Sequence, residues 1–286
     1  MKLSKVLKSG LEYFMALLLC LALFLLSVVL IARGILTNKY TISRLPKTYC
    51  ANLYKDIQNS LSDYTIPTGL DVSVLDGVIS EEQVEIDFNS VIRNSHPGDG
   101  YTLDTSTLEG KLNLNVTNFL EQNSVIDEES SAAVDKYVKE IGELYRKNIR
   151  LPGLDYIARL SEEYESKFFI FLIAVLFVAV FFAFILVMLQ RKPTKSLRFF
   201  SYAAGGVAAM MLIGPLVAMI SGVYRHLGIT PAYFNEYMVS YADGIMLRFV
   251  VVAAVWLAIS VGFAVFARNM EKKRRRRYKA QEIEEE

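Results

Sequence analysis

Two patterns of apolar positions alternate along this chain. Four stretches, 13–32, 168–189, 199–220 and 249–267, are apolar without interruption and hold no Asp, Glu, Lys or Arg. Each is close to the roughly 20 residues that carry a helix across about 30 Å of hydrocarbon. One such run could be a buried core helix. Four of them exceed what the core of a 286-residue chain absorbs, so they predict four transmembrane helices.

The region between the first two runs has a different rhythm. Tyr49, Leu53, Ile57, Leu61 and Tyr64 recur at three- and four-residue spacing and predict one amphipathic helix. The stretch "TIPTGLDVSVLDG" follows, where Pro67, Gly69 and Gly77 predict a loop with at most one short helix. Ser80 and Gln83 form a capping box in front of a helix whose inner face is Val84, Phe88, Val91 and Ile92. A third helix is expected over 105–120, with Leu108, Leu112, Val116, Phe119 and Leu120 inward. A fourth spans 128–148 on Val134, Tyr137, Val138, Ile141, Leu144 and Tyr145. After Pro152 and Gly153, the residues Leu154, Ile157, Leu160 and Tyr164 keep helical register into the second apolar run, which predicts one continuous helix. The fold class is therefore an all-α integral membrane protein: four transmembrane helices, with a helical extracytoplasmic domain inserted between spans 1 and 2.

Charge supplies the sidedness. The chain is 53% hydrophobic with a net charge of only +1, but its charges are unevenly placed. The connection "QRKPTKSLR" at 190–198 holds four basic residues and no acid, and Arg268, Lys272, Lys273, Arg274, Arg275, Arg276 and Arg277 follow the last span. Residues 37–167 carry 22 acidic against 13 basic residues, and 221–248 offers only Arg225 and Arg248. Lys and Arg near span ends mark the cytoplasmic side. The expected order is a cytoplasmic 1–12, an extracytoplasmic 33–167, a cytoplasmic loop 190–198, an extracytoplasmic loop 221–248, and a cytoplasmic tail 268–286, basic then acidic. The expected location is the plasma or cell membrane, with both termini cytoplasmic. The basic run also resembles a nucleic-acid arm, but it sits at a span end, where anionic lipid attracts each Lys or Arg by about 1 kcal/mol. Lys272 to Arg277 are read as an anchor on the anionic inner leaflet, and no nucleic-acid partner is expected. The first run is longer than a signal-peptide core and lacks an A-x-A-like site, and Leu19 before Cys20 is too bulky for lipoprotein processing, so it is read as an uncleaved span.

Within the spans, Ser201, Gly205 and Ala209, and likewise Ala254, Ala258 and Gly262, recur at four-residue intervals. Small residues let helix backbones approach closely in lipid. Close packing of spans 3 and 4 through these six residues is the expectation. Gly214-Pro215 is read as a tolerated proline near the outer end of span 3. Ser27, Ser201 and Ser260 are expected to bond their own helix backbones.

Candidate chemistry is sparse. The spans contain no ionisable side chain of the kind that couples protons or ions. His96 and His226 are the only histidines and stand far apart in sequence, which suits neither a metal site nor a catalytic triad. Cys20 falls in a span and Cys50 outside it, so an internal disulfide is not expected. Asp71 to Asp76 begins like a calcium loop, but Leu75 occupies a ligand position. Asn115-Val116-Thr117 is a glycosylation sequon inside a predicted helix. No cofactor or metal is expected, and the chain is read as non-enzymatic. It would be a membrane sensor, scaffold or accessory subunit whose outer domain binds a protein partner, a second copy or a ligand. A subunit of a homo-oligomeric channel or transport complex is the alternative. The four-span layout, with a large outer segment first and a small one second, resembles permease subunits of division- and efflux-type ABC systems. That likeness is one of layout without a shared motif, and it would imply an ATPase against the short 190–198 loop.

Overall fold

The computed structural model describes residues 2–94, 101–123, 128–190 and 193–285, and the side chains within these except 2–7, 128–130 and 275–285. His96, Arg191, Lys192 and the side chains of Arg275, Arg276 and Arg277 thus lie outside the described residues. The helices are α1 (Lys2–Ile35), α2 (Asn38–Ser43), α3 (Tyr49–Thr65), α4 (Glu81–Asn94), α5 (Ser106–Gln122), α6 (Glu128–Asn148), α7 (Leu154–Leu189), α8 (Pro193–Ser221) and α9 (Ala232–Glu285). No strand occurs among the described residues. Four of these helices, α1, α7, α8 and α9, are long and apolar enough to cross a membrane. This is the make-up of an all-helical, multi-pass integral membrane protein.

The chain divides into two compact units. The first comprises 1–35, 164–227 and 242–286, and the second comprises 36–163 and 228–241. Helices α7 and α9 each belong in part to both.

The second unit is a helical domain with its own hydrophobic core. Its core is made of the large side chains that the three- and four-residue spacing selects, among them Tyr49, Leu53, Ile57, Leu61, Phe88, Ile92, Leu112, Ile141 and Tyr145. Ser80 caps α4 by accepting the Gln83 N–H at 3.2 Å. The other half of the capping box does not form, because the Gln83 amide donates forward to Asp87 Oδ1 at 2.8 Å. The loop after α3 holds two 3₁₀ turns rather than at most one, Ile66–Thr68 and Val72–Leu75. Gly69 and Gly77 end these turns with positive φ, where a side chain would be strained. Two stripe positions differ from expectation. At the end of α3, Tyr64 faces out and Thr65 is buried, its hydroxyl donating to the Leu61 carbonyl at 2.7 Å. On α7, Leu160 is exposed and Ala158 is buried. The sequence rule favours the more apolar neighbour, whereas the helix turn decides which of the two faces inward.

Residues 228–241 join this same core. Tyr237 is 1% exposed, and its ring centroid lies 6.0 Å from that of Tyr49. Tyr233 meets Tyr49 edge-on at 5.0 Å, and Tyr241 meets Tyr40 edge-on at 5.0 Å. Such edge-to-face pairs each add about 0.5–1.5 kcal/mol beyond area burial. The segment expected to be a plain loop is therefore an aromatic clamp on the domain.

In the first unit alanines share the buried contacts with a few large side chains, Leu19, Leu186, Phe199 and Met211, while many other large side chains stay outside. Ala16, Ala203, Ala204, Ala208 and Ala253 are buried, whereas Phe169, Ile170, Phe177, Phe181 and Phe184 are exposed. The tightest pairing is α1 on α8. A Cβ added to Gly206 would stand 2.7 Å from Cys20 Sγ, so glycine is what permits this approach. Helix α8 continues through Pro215 to Ser221.

Candidate functional site

The domain formed by 36–163 and 228–241 holds a cavity of about 350 Å³. Amphipathic α6 turns Val134 and Tyr137 inward, and α5 supplies Val116 and Leu120. Leu70, placed by the turn that Gly69 closes, completes the apolar wall. Tyr137 is pushed upward in pKa by burial, and its hydroxyl shares a 2.7 Å hydrogen bond with Thr65. Thr68 donates to the Thr65 carbonyl at 2.6 Å. Lys136, exposed, and Glu140, half-buried, also line the cavity, one helical turn apart on α6. Glu140 accepts a hydrogen bond from the Tyr64 hydroxyl, which raises the Tyr64 pKa. Neither Lys136 nor this cavity was legible as a site in sequence, because nothing in the spacing marks a gap between helices.

Nearby polar groups are structural. Asn115 Nδ2 donates to the carbonyls of Val74 at 3.0 Å and Asp76 at 3.1 Å, pinning a 3₁₀ turn to α5. That amide is the sequon nitrogen, so it serves the fold. Asp71 caps the same turn through the Ser73 N–H at 2.7 Å, and its pKa is lowered by the Ser73 side chain first and by this N–H second. Among the described residues no three His, Cys, Asp or Glu side chains are grouped as metal ligands. Cys20 and Cys50 are both free thiols. Burial first, then Glu85 and Glu81, push the Cys50 thiol up to about 11.

The six residues read as a packing seam divide. Ser201 and Gly205 do meet α9, but at Ser260. Ser201 Oγ donates to the Ser260 carbonyl at 2.9 Å, and Ser260 Oγ donates to the Ser201 carbonyl at 2.8 Å. A Cβ on Gly205 would lie 3.2 Å from Ser260 Oγ. Ala209, Ala254, Ala258 and Gly262 are exposed. The physical reason is rotation: a strict four-residue step overshoots a turn by about 40° at 3.6 residues per turn. The buried positions instead alternate steps of three and four, as Ser201, Ala204, Ala208 and Met211 do on α8. The serines also depart from expectation. Ser27 bonds its own backbone at Leu23, 2.9 Å away, but it also accepts from Trp256 Nε1 at 2.8 Å, while Ser201 and Ser260 bond across helices. α1, α8 and α9 are thus tied by hydroxyls inside the apolar layer.

At the other end of α9, Lys272, Lys273 and Arg274 are exposed on the helix as it continues past the apolar run. Glu271 forms an ion pair with Arg198 of α8. The basic connection and the basic tail are therefore adjacent. Arg225 and Tyr224 both bond Asp243, the former at 3.3 Å.

Compared with protein-family models, with curated proteins and with solved structures, the chain matches none of them.

Proposed function

We propose that this chain is a non-enzymatic membrane sensor, scaffold or accessory subunit. Its helical domain faces outward, binds a partner or ligand, and acts on the membrane part through α7. The observation that carries this reading is the continuity of α7, one helix from Leu154 to Leu189 that belongs to both compact units. A helix without a break transmits a displacement that a flexible linker would dissipate. The outward orientation is supported by the shared core of 36–163 and 228–241, since two connections folded into one domain emerge on the same side. It is supported again by the pairing of Arg198 with Glu271, which gathers the basic flanks at the opposite ends of the spans. Anionic lipid is then the expected neighbour of Lys272, Lys273 and Arg274.

The test is a flexible insertion. Four glycines between Glu163 and Tyr164 should leave domain and spans folded while abolishing any ligand- or partner-dependent change in the membrane part. Crosslinking in native membranes, compared with and without the insertion, reads this out. An unchanged response refutes coupling through α7.

A second reading is supported by Ala254, Ala258 and Gly262, which lie on one exposed side of α9 and are small enough for another helix to approach. On that reading several copies assemble into a channel or transport complex. Crosslinking that recovers only self-contacts favours it over an accessory role.

A further inference from the structure

We propose that the cavity between α5 and α6 binds a zwitterionic small molecule with an apolar side chain, the chemistry of a hydrophobic amino acid. This deepens the reading above and rests on it in one respect, namely that this domain is the binding part of the chain. Size is the first argument. About 350 Å³ lies within the range of small-ligand sites and accommodates one amino acid with a large side chain.

The second argument is the state of the polar groups. The wall hydroxyls are already committed: Tyr137 to Thr65 behind the wall, and Thr68 to the Thr65 carbonyl. The interior therefore offers apolar contact from Val116, Leu120, Val134 and the Tyr137 ring, and little else. Polar recognition is left to Lys136 and Glu140, which stand one turn apart on α6. Opposite charges at this spacing commonly pair with each other. Here Glu140 is held by Tyr64, and Lys136 has no ion-pair or hydrogen-bond partner among the described residues.

Charge then selects the ligand class. A fatty acid would satisfy Lys136 but bring its carboxylate beside that of Glu140. An apolar amine would do the reverse. A wholly apolar compound would leave both charges unanswered. A molecule with an ammonium and a carboxylate on one carbon, and an apolar side chain pointing inward, satisfies both.

The test is calorimetric titration of the full chain in lipid nanodiscs with L-leucine and L-phenylalanine. The matched single-charge compounds 4-methylpentanoate and 3-methylbutylamine are titrated alongside. At least one amino acid should bind saturably and about tenfold more tightly than either analogue, the scale of one charge-assisted contact. Lys136→Gln and Glu140→Gln should each weaken binding by a similar factor. Ala133→Trp fills the cavity from an exposed position, so it should abolish binding while leaving the thermal unfolding of the domain unchanged. Absence of binding by both amino acids at millimolar concentration overturns the proposal. So does equal binding of a single-charge analogue, or undiminished binding to Ala133→Trp. Such a result, with the glycine insertion still uncoupling domain from spans, removes the ligand class alone and leaves the broader function standing.

Discussion

The two compact units of this chain are packed by different rules. In the domain of 36–163 and 228–241, the large side chains are inside: Tyr49, Ile57, Phe88, Ile92 and Tyr145 are all at or below 1% exposure. In the span unit many large side chains are outside, with Phe177 at 71% and Ile170 at 70%, and alanines share the contacts with Leu19, Leu186 and Met211. The same backbone geometry serves both. What changes is the solvent. Water drives apolar area inward, so the domain gains stability from volume and shape. Lipid is as apolar as leucine, so the spans gain it from close backbone approach and from hydroxyls with nowhere else to bond.

That contrast is broken most severely by exchanging its rules. Phe88→Ala should destabilise the domain by about 3–5 kcal/mol, because it empties a fully buried site. Phe177→Ala, the same change on a span, should stay within about 0.5 kcal/mol in detergent micelles. Denaturant unfolding of both variants, followed by tyrosine fluorescence and circular dichroism, compares them directly.

Glycine gives the next effect. Gly206→Ala places a Cβ 2.7 Å from Cys20 Sγ and should cost about 1–3 kcal/mol in the association of α1 with α8. Gly262→Ala, with nothing within 4 Å, should cost nothing. Adding Cys20→Ala to Gly206→Ala should restore most of the loss, measured by thermal unfolding in micelles. A smaller effect belongs to the serines. Ser201→Ala and Ser260→Ala should each cost about 0.6 kcal/mol, and the double variant less than their sum, because one reciprocal pair is lost only once.

The smallest effect is chemical. With its thiol pushed up to about 11 from an ordinary value of 9.0, Cys50 should alkylate about a hundredfold more slowly at neutral pH than an unperturbed cysteine. The sign for stability follows. The folded state holds this proton more tightly than the unfolded state, so the contribution is complete below about 9 and is lost as pH rises through about 11. Cys50→Ser should remove that part of the alkaline decline, read by thermal unfolding across pH 8–11.

The domain's helices were largely legible because water imposes a periodic demand. Val84, Phe88, Val91 and Ile92 read as an inner face and are one. Legibility fell at helix ends, where Tyr64 and Thr65 compete and a hydrogen bond settles the matter for Thr65. In the spans nearly every position is apolar, so periodicity carries little information about facing. Ala254, Ala258 and Gly262 therefore looked like the seam, while Ala253, Trp256 and Ser260 face the neighbouring helices. The aromatic clamp does carry a signal in the sequence. Tyr233, Tyr237 and Tyr241 repeat every four residues ahead of the last span, which already describes a helix beginning at Ala232. The cavity had none, since a gap between α5 and α6 is a property of two helices and of neither sequence.

The sidedness of the domain is the claim on which the rest turns, and single-cysteine labelling in intact cells measures it most directly. In a Cys20→Ala, Cys50→Ser background, cysteines at Asp135 and Thr230 should react with a membrane-impermeant maleimide from outside. Cysteines at Lys195 and Lys273 should react only after permeabilisation. Labelling of Asp135 and Lys195 from the same side, or of Asp135 and Thr230 from opposite sides, would contradict the account.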